Sequence, residues 1–165
     1  MLAEVLRRAS ARIGKPEVTW LGSVSVRDFC HYASASGDDD YVRMAIARER
    51  AHLPVRAPDL FASGVFSYDY GPSESELNDS GMSARESPCT DGLDVFQVHG
   101  GARVTLHNPL YSGTVLQSQR TMTDASRKTG RSGDFVVLEW TTEIGTDLGQ
   151  PVCSVSESLI VRELN

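Results

Sequence analysis

Two features of the sequence predict an α+β domain. Up to about residue 70, apolar side chains recur at the three-and-four spacing of helices; from Asp94 onward they alternate with period two. The later segments are joined by short turns, which demands antiparallel pairing, because a parallel crossover needs about a dozen residues or more. A chain of 165 residues with 40% apolar and 23% charged side chains suits one domain with a single sizeable core.

The elements follow in order. Leu2, Val5, Leu6, Ala9 and Ile13 share a helical face, and Gly14-Lys15-Pro16 ends that helix. Val18 to Val24 is a short extended link. Ser25 is placed to cap a second helix, with Asp28 three residues on completing a capping box and Val26, Phe29, Cys30 and Ala33 on one face. A third helix is predicted from about Tyr41 to Ala51, capped by Asp39 or Asp40 and stopped by Pro54. Pro58 suits the first position of a fourth, strongly apolar helix running to about Tyr70, laid across a sheet. Residues 71–92 are rich in Glu, Ser, Asn, Asp, Gly and Pro and read as a long exposed loop. Strands are then expected over 96–98, 103–107, 114–124, 135–145 and 152–161.

Composition narrows the function. The net charge of −6 argues against a nucleic-acid partner held on a basic surface. No apolar run approaches the ~20 residues that span a bilayer, and residues 1–12 lack the uninterrupted apolar centre of a secretory signal. The odd, scattered cysteines, Cys30, Cys89 and Cys153, point to a reducing, cytoplasmic setting rather than a disulfide framework. Cys30 and Cys153 are expected in the core and Cys89 exposed. His99 and His107 flank a glycine pair that would bring them face to face if it turned, but no acidic or thiol partner completes a metal site. The glycines around Lys15 and Arg131 lack the context of a phosphate loop.

Ser36-Gly37-Asp38-Asp39-Asp40 is the densest chemical feature. It is either a capped corner between two helices or a site that holds a catalytic carboxylate. Three stretches then carry a resemblance. They are Tyr32-Ala33-Ser34-Ala35-Ser36-Gly37-Asp38, Val55-Arg56-Ala57-Pro58-Asp59-Leu60-Phe61, and Leu106-His107-Asn108-Pro109-Leu110-Tyr111-Ser112-Gly113-Thr114. With the hairpin at 128–133, their order and spacing resemble the hot-dog fold, an antiparallel sheet wrapped around a central helix. The similarity is to the MaoC-like dehydratase family in its N-terminal-type halves.

That resemblance implies reversible syn addition of water across a trans-2-enoyl thioester, with coenzyme A or phosphopantetheine as substrate carrier and no further cofactor or metal. The family motif reads Gly-Asp-x-Asn-Pro-aliphatic-His. Here Gly37 and Asp38 match and Val42 is aliphatic, whereas Asp40, Tyr41 and Arg43 stand at the Asn, Pro and His positions. Asp38 is the candidate catalytic carboxylate. Arg43 stays protonated and cannot replace a neutral imidazole as base. Ala57, Pro58, Asp59 and Leu60 correspond to the central-helix entry that polarises the thioester carbonyl, and His107 to the substrate entrance. Arg127, Lys128 and Arg131, at a hairpin tip, are candidates for the carrier phosphates. The half-motif implies a substrate-shaping half in a heterodimer with a catalytic hot-dog subunit. The alternatives are a self-sufficient homodimer using Asp38 and a non-catalytic acyl-thioester or carrier-protein binder.

Overall fold

The computed structural model describes residues 1–64, 73–77, 81, 88–131 and 133–163. Five strands form one antiparallel sheet in the order β1-β3-β4-β5-β2: β1 Pro16–Ser23, β2 Val95–Leu106, β3 Val115–Gly130, β4 Gly133–Thr146 and β5 Pro151–Glu163. Helices α1 (Leu2–Ser10), α2 (Val26–Ala35) and α3 (Asp39–Arg50) precede the long strands. The architecture is α+β, as expected.

Alternation along β4 decides which face is covered. Val136, Leu138, Trp140, Thr142 and Ile144 are buried, while the residues between them are half-buried or exposed. Two apolar clusters occupy the covered face. Leu2, Val5 and Ala9 of α1 pack on Met122, Val136, Leu138, Trp140, Leu159 and Val161. Phe29 of α2, Ala45 of α3 and the 55–62 segment pack on Leu116, Ile144, Val152 and Cys153. Arg120 and Glu157, on strands either side of Trp140, pair at 2.8 Å, with the guanidinium 4.7 Å from the indole centroid.

Several expectations change. The link at 18–24 is an edge strand, β1, because its backbone has the unpaired side of β3 to bond. The two short strands at 96–98 and 103–107 are one continuous β2, so the glycine pair is not a turn. It sits at a register shift between His99 and Gly101, where a Cβ on Gly100 would lie 2.5 Å from Ser158 Oγ. His99, on β2, and His107, just past its end, therefore stand far apart rather than face to face.

The helix predicted from Pro58 does not begin there. Residues 59–61 form a turn followed by one 3-10 turn, Ala62–Gly64; the remainder of that prediction lies outside the described residues. Cys89, expected to be exposed, is fully buried in the α1 cluster, and burial raises its thiol pKa. The neighbouring loop is held to α1 where Arg8 donates to the Asp91 carbonyl at 2.6 Å. Cys153 is buried as expected, whereas Cys30 is only half-buried. Among the described residues no helix is long and apolar enough to cross a membrane.

Candidate functional site

The acidic corner is built from local hydrogen bonds. Ser25 and Asp28 form the expected capping box, and α2 runs to Ala35. Gly37 then adopts φ 76°, a left-handed conformation that suits glycine and lets the chain reverse. Asp38, rather than Asp39 or Asp40, caps α3: its Oδ1 accepts the Tyr41 amide at 3.0 Å. Arg43 pairs with Asp40 one turn back, not with Asp38. Asp38, Asp39, Asp40 and Arg43 lie exposed at the surface, and the Asp38–Tyr41 and Asp40–Arg43 contacts each span three residues.

Tyr41 links this corner to the next stretch. Its hydroxyl donates to the Arg56 carbonyl at 2.5 Å, and burial, aided by the nearby Cys30 and Asp38, pushes its pKa up to about 12. Residues 55–57 in turn pair with the 110–112 turn: Ala57 N–H donates to Leu110 O at 2.8 Å and Ser112 N–H to Val55 O at 2.9 Å. The carbonyl and amide groups of two irregular segments are thereby satisfied by each other.

Between these segments lies a cavity of about 160 Å³ lined by Arg56, Ala57, Pro58, Asp59, Ala62, Leu106, His107, Asn108, Pro109, Leu110 and Val152. Ala57, Pro58, Asp59 and His107 of the predicted substrate residues thus line one cavity. Leu60 does not line it and is half-exposed at 52%. Neither Asp38 nor Arg43 lines it. Arg56 and Asp59 are ion-paired at its rim. Because no α-helix starts at Pro58, a helix dipole is not available at this entry among the described residues.

His107 is held on the last strand. Its amide donates to Val152 O at 2.9 Å, and Asn108 Nδ2 donates to Pro151 O at 2.8 Å. On the ring, Nε2 lies 2.6 Å from Ser154 Oγ, which donates to Glu143 Oε2 at 2.5 Å. Ser154 and Glu143 were not legible as site residues, because nothing in their own strands marks them; only the register of β4, β5 and β2 aligns them with His107.

The hairpin cations stand elsewhere. β3 runs from the cavity end at Val115 to Gly130, so Arg127, Lys128 and Arg131 lie roughly 40 Å along the strand from the cavity. Arg127 is also engaged by Asp134 at 2.5 Å. Cavity and cations are not brought together within one chain. No cluster of metal ligands occurs among the described residues.

A five-stranded antiparallel sheet with its helices on one face, and a cleft where the 55–62 segment meets the 106–112 turn, is the architecture of a hot-dog protein. Its sequence matches the family described as "FAS1-like, dehydratase domain region" over residues 11–155, and the chain belongs to that family. No curated protein sequence matches it. Among solved structures it is similar to the ChsH1–ChsH2 complex of Mycobacterium tuberculosis at TM-score 0.68 and 16% identity, covering 96% of this chain and 89% of that one. The R-hydratase PhaJ1 of Pseudomonas aeruginosa is similar at TM-score 0.59 and 14% identity, covering 95% and 86%. The 3R-hydroxyacyl-ACP dehydratase complex HadBC of M. tuberculosis is similar at TM-score 0.55 and 15% identity, covering 88% and 95%. At these identities the likeness is one of fold.

Proposed function

We propose that this chain is the substrate-shaping subunit of an acyl-thioester dehydratase or hydratase, and that the cavity between residues 56–62 and 106–110 receives the acyl end of the thioester. The observation that carries this reading is the contrast between that cavity and the acidic corner. The cavity combines apolar walls (Ala57, Pro58, Ala62, Leu106, Leu110 and Val152) with a few polar groups at its rim, the composition of a small-molecule site. At the corner, Asp38 serves as a helix cap and Arg43 occupies the position of the motif histidine. In this reading the carboxylate that the family would use is engaged by its own backbone, and Arg43 stands where the base would be.

The partner in this reading is a second hot-dog subunit with an intact motif. It is supported by the long edge strand β2, which exposes Phe96, Val98 and Leu106 at 47%, 43% and 49%. Such an edge invites a neighbouring strand. Two of the similar solved structures are themselves complexes. A carrier whose phosphates reach Arg127, Lys128 or Arg131 while its acyl group lies in a cavity of this kind would have to bridge two subunits.

The test is hydration of a crotonyl thioester by the purified chain, alone and mixed with a hot-dog subunit bearing Gly-Asp-x-Asn-Pro-x-His. Activity confined to the mixture supports the reading. Efficient turnover by the chain alone would favour the self-sufficient enzyme, and a mixture that neither associates nor responds to this chain would overturn both.

A further inference from the structure

We propose that the cavity selects the 3-hydroxyacyl form of a thioester over the form lacking the hydroxyl, through a hydrogen-bond acceptor that Ser154 and Glu143 fix at His107 Nδ1. The inference rests on the acyl-thioester reading above and adds which of the two interconverted acyl groups this subunit holds. It follows from counting protons. An ionised carboxylate only accepts, so the single hydroxyl proton of Ser154 is committed to Glu143 Oε2 at 2.5 Å. The second contact of Ser154 Oγ, 2.6 Å to His107 Nε2, must then be supplied with a proton by the ring. In the neutral imidazole, a proton on Nε2 leaves a lone pair on Nδ1.

Three strands hold this arrangement. Ser154 faces Glu143 on β4 and Thr105 on β2, and His107 follows directly beyond the end of β2, its amide bonded to Val152. His107 lines the cavity, and of its two ring nitrogens Nε2 is the one that Ser154 engages. The acyl group of a 3-hydroxyacyl thioester carries one O–H donor within a few bonds of the carbonyl. The acyl group of a 2-enoyl or saturated thioester carries none and would leave that acceptor unpaired. Sites that hydrogen-bond a substrate hydroxyl discriminate against the analogue without it for this reason. Because the ring is exposed and water can replace the lost partner, the discrimination is that of one net hydrogen bond, about 2- to 12-fold in affinity.

The experiment compares binding of (3R)-3-hydroxybutanoyl-coenzyme A and butanoyl-coenzyme A by calorimetry at about pH 8.5. The same protein, labelled with ¹⁵N at histidine, reports the His107 tautomer. The wild type is expected to prefer the hydroxyacyl ligand and to show a single Nε2–H tautomer. His107→Ala should equalise the two affinities, and Ser154→Ala should give mixed tautomers and a reduced preference for the hydroxyacyl ligand. Glu143→Gln should also admit the second tautomer, since an amide can donate to Ser154. Equal wild-type affinities, or a tautomer indifferent to Ser154→Ala, overturn the inference while leaving the acyl-thioester reading standing. Binding of neither thioester overturns both.

Discussion

The acidic corner at 36–43 and the cleft between 55–62 and 106–112 are neighbours joined by one hydrogen bond, yet they are assembled in different ways. At the corner the charged pairings are local: Asp38 with the Tyr41 amide and Asp40 with Arg43, each three residues apart. In the cleft, pairing spans about fifty residues, as between Ala57 and Leu110 or His107 and Ser154. A group engaged by its own helix end is already committed, whereas groups gathered from separate segments enclose a space and leave atoms facing it. In the proposed reading the corner, although denser in chemical groups, serves as a structural turn, and the cleft receives the substrate.

The two regions share one apolar cluster, and breaking it at Phe29 tests whether they are independent. Phe29 is fully buried, and its ring meets Phe61 edge-on at 4.8 Å. Phe29→Ala is expected to cost about 3–5 kcal/mol and to open corner and cleft together. A urea titration followed by separate probes at α2 and at the 106–110 turn would show one common, lowered midpoint; two distinct midpoints would mean that the regions stand alone.

Asp38 separates a capping role from a catalytic one. Asp38→Ala should cost about 0.5–2 kcal/mol, while Asp38→Asn, which keeps a side-chain acceptor, should cost little. If the corner is structural, Asp38→Asn leaves hydration by the mixed complex within a few-fold. A loss of about 100-fold with stability intact would return the catalytic role to this carboxylate.

The bond between the regions is tested at Tyr41. Tyr41→Phe should cost about 0.5–1.5 kcal/mol in denaturant unfolding near neutral pH. Its phenol has a raised pKa in the folded chain, about 12 against about 10 for a free tyrosine, so the folded state retains a proton that the unfolded state releases. The associated stability is complete below pH 10 and is lost as pH climbs toward 12. Tyr41→Phe should flatten the alkaline decline over that window. An unchanged slope would assign the decline to the buried thiols of Cys89 and Cys153, whose pKa values are also raised.

A smaller gain is expected where α3 ends. His52 takes φ 53° in the position that glycine usually fills, with Leu53 N–H closing the turn on Arg48 O at 2.9 Å. His52→Gly should stabilise the chain by about 0.5–1 kcal/mol, because relief of left-handed strain outweighs the added freedom of the unfolded chain. The smallest effect belongs to Arg43→Ala. It breaks an ion pair whose side chains are 71% and 91% exposed, and the thermal midpoint should not move measurably.

Local rules accounted for the helices and for the period of the sheet. The capping box at Ser25, the glycine stop at Gly37 and the alternation through 135–145 are decided within a few residues by hydrogen bonding and side-chain geometry, so the sequence alone determines them. It also marked both walls of the cleft, since Ala57-Pro58-Asp59 and His107 lie in stretches that resemble a known family. Other features depended on partners distant in sequence. Pro58 suits a first helical position, yet 55–57 pairs with 110–112 and residues 59–61 form a turn. Cys89 lies in a polar loop but is buried because α1 folds across it. Ser154 and Glu143 carry no signal in their own strands. Two residues on adjacent strands meet a third only when the register is fixed, and that register is set by the burial of one whole sheet face, a property of the assembled sheet that no single strand encodes.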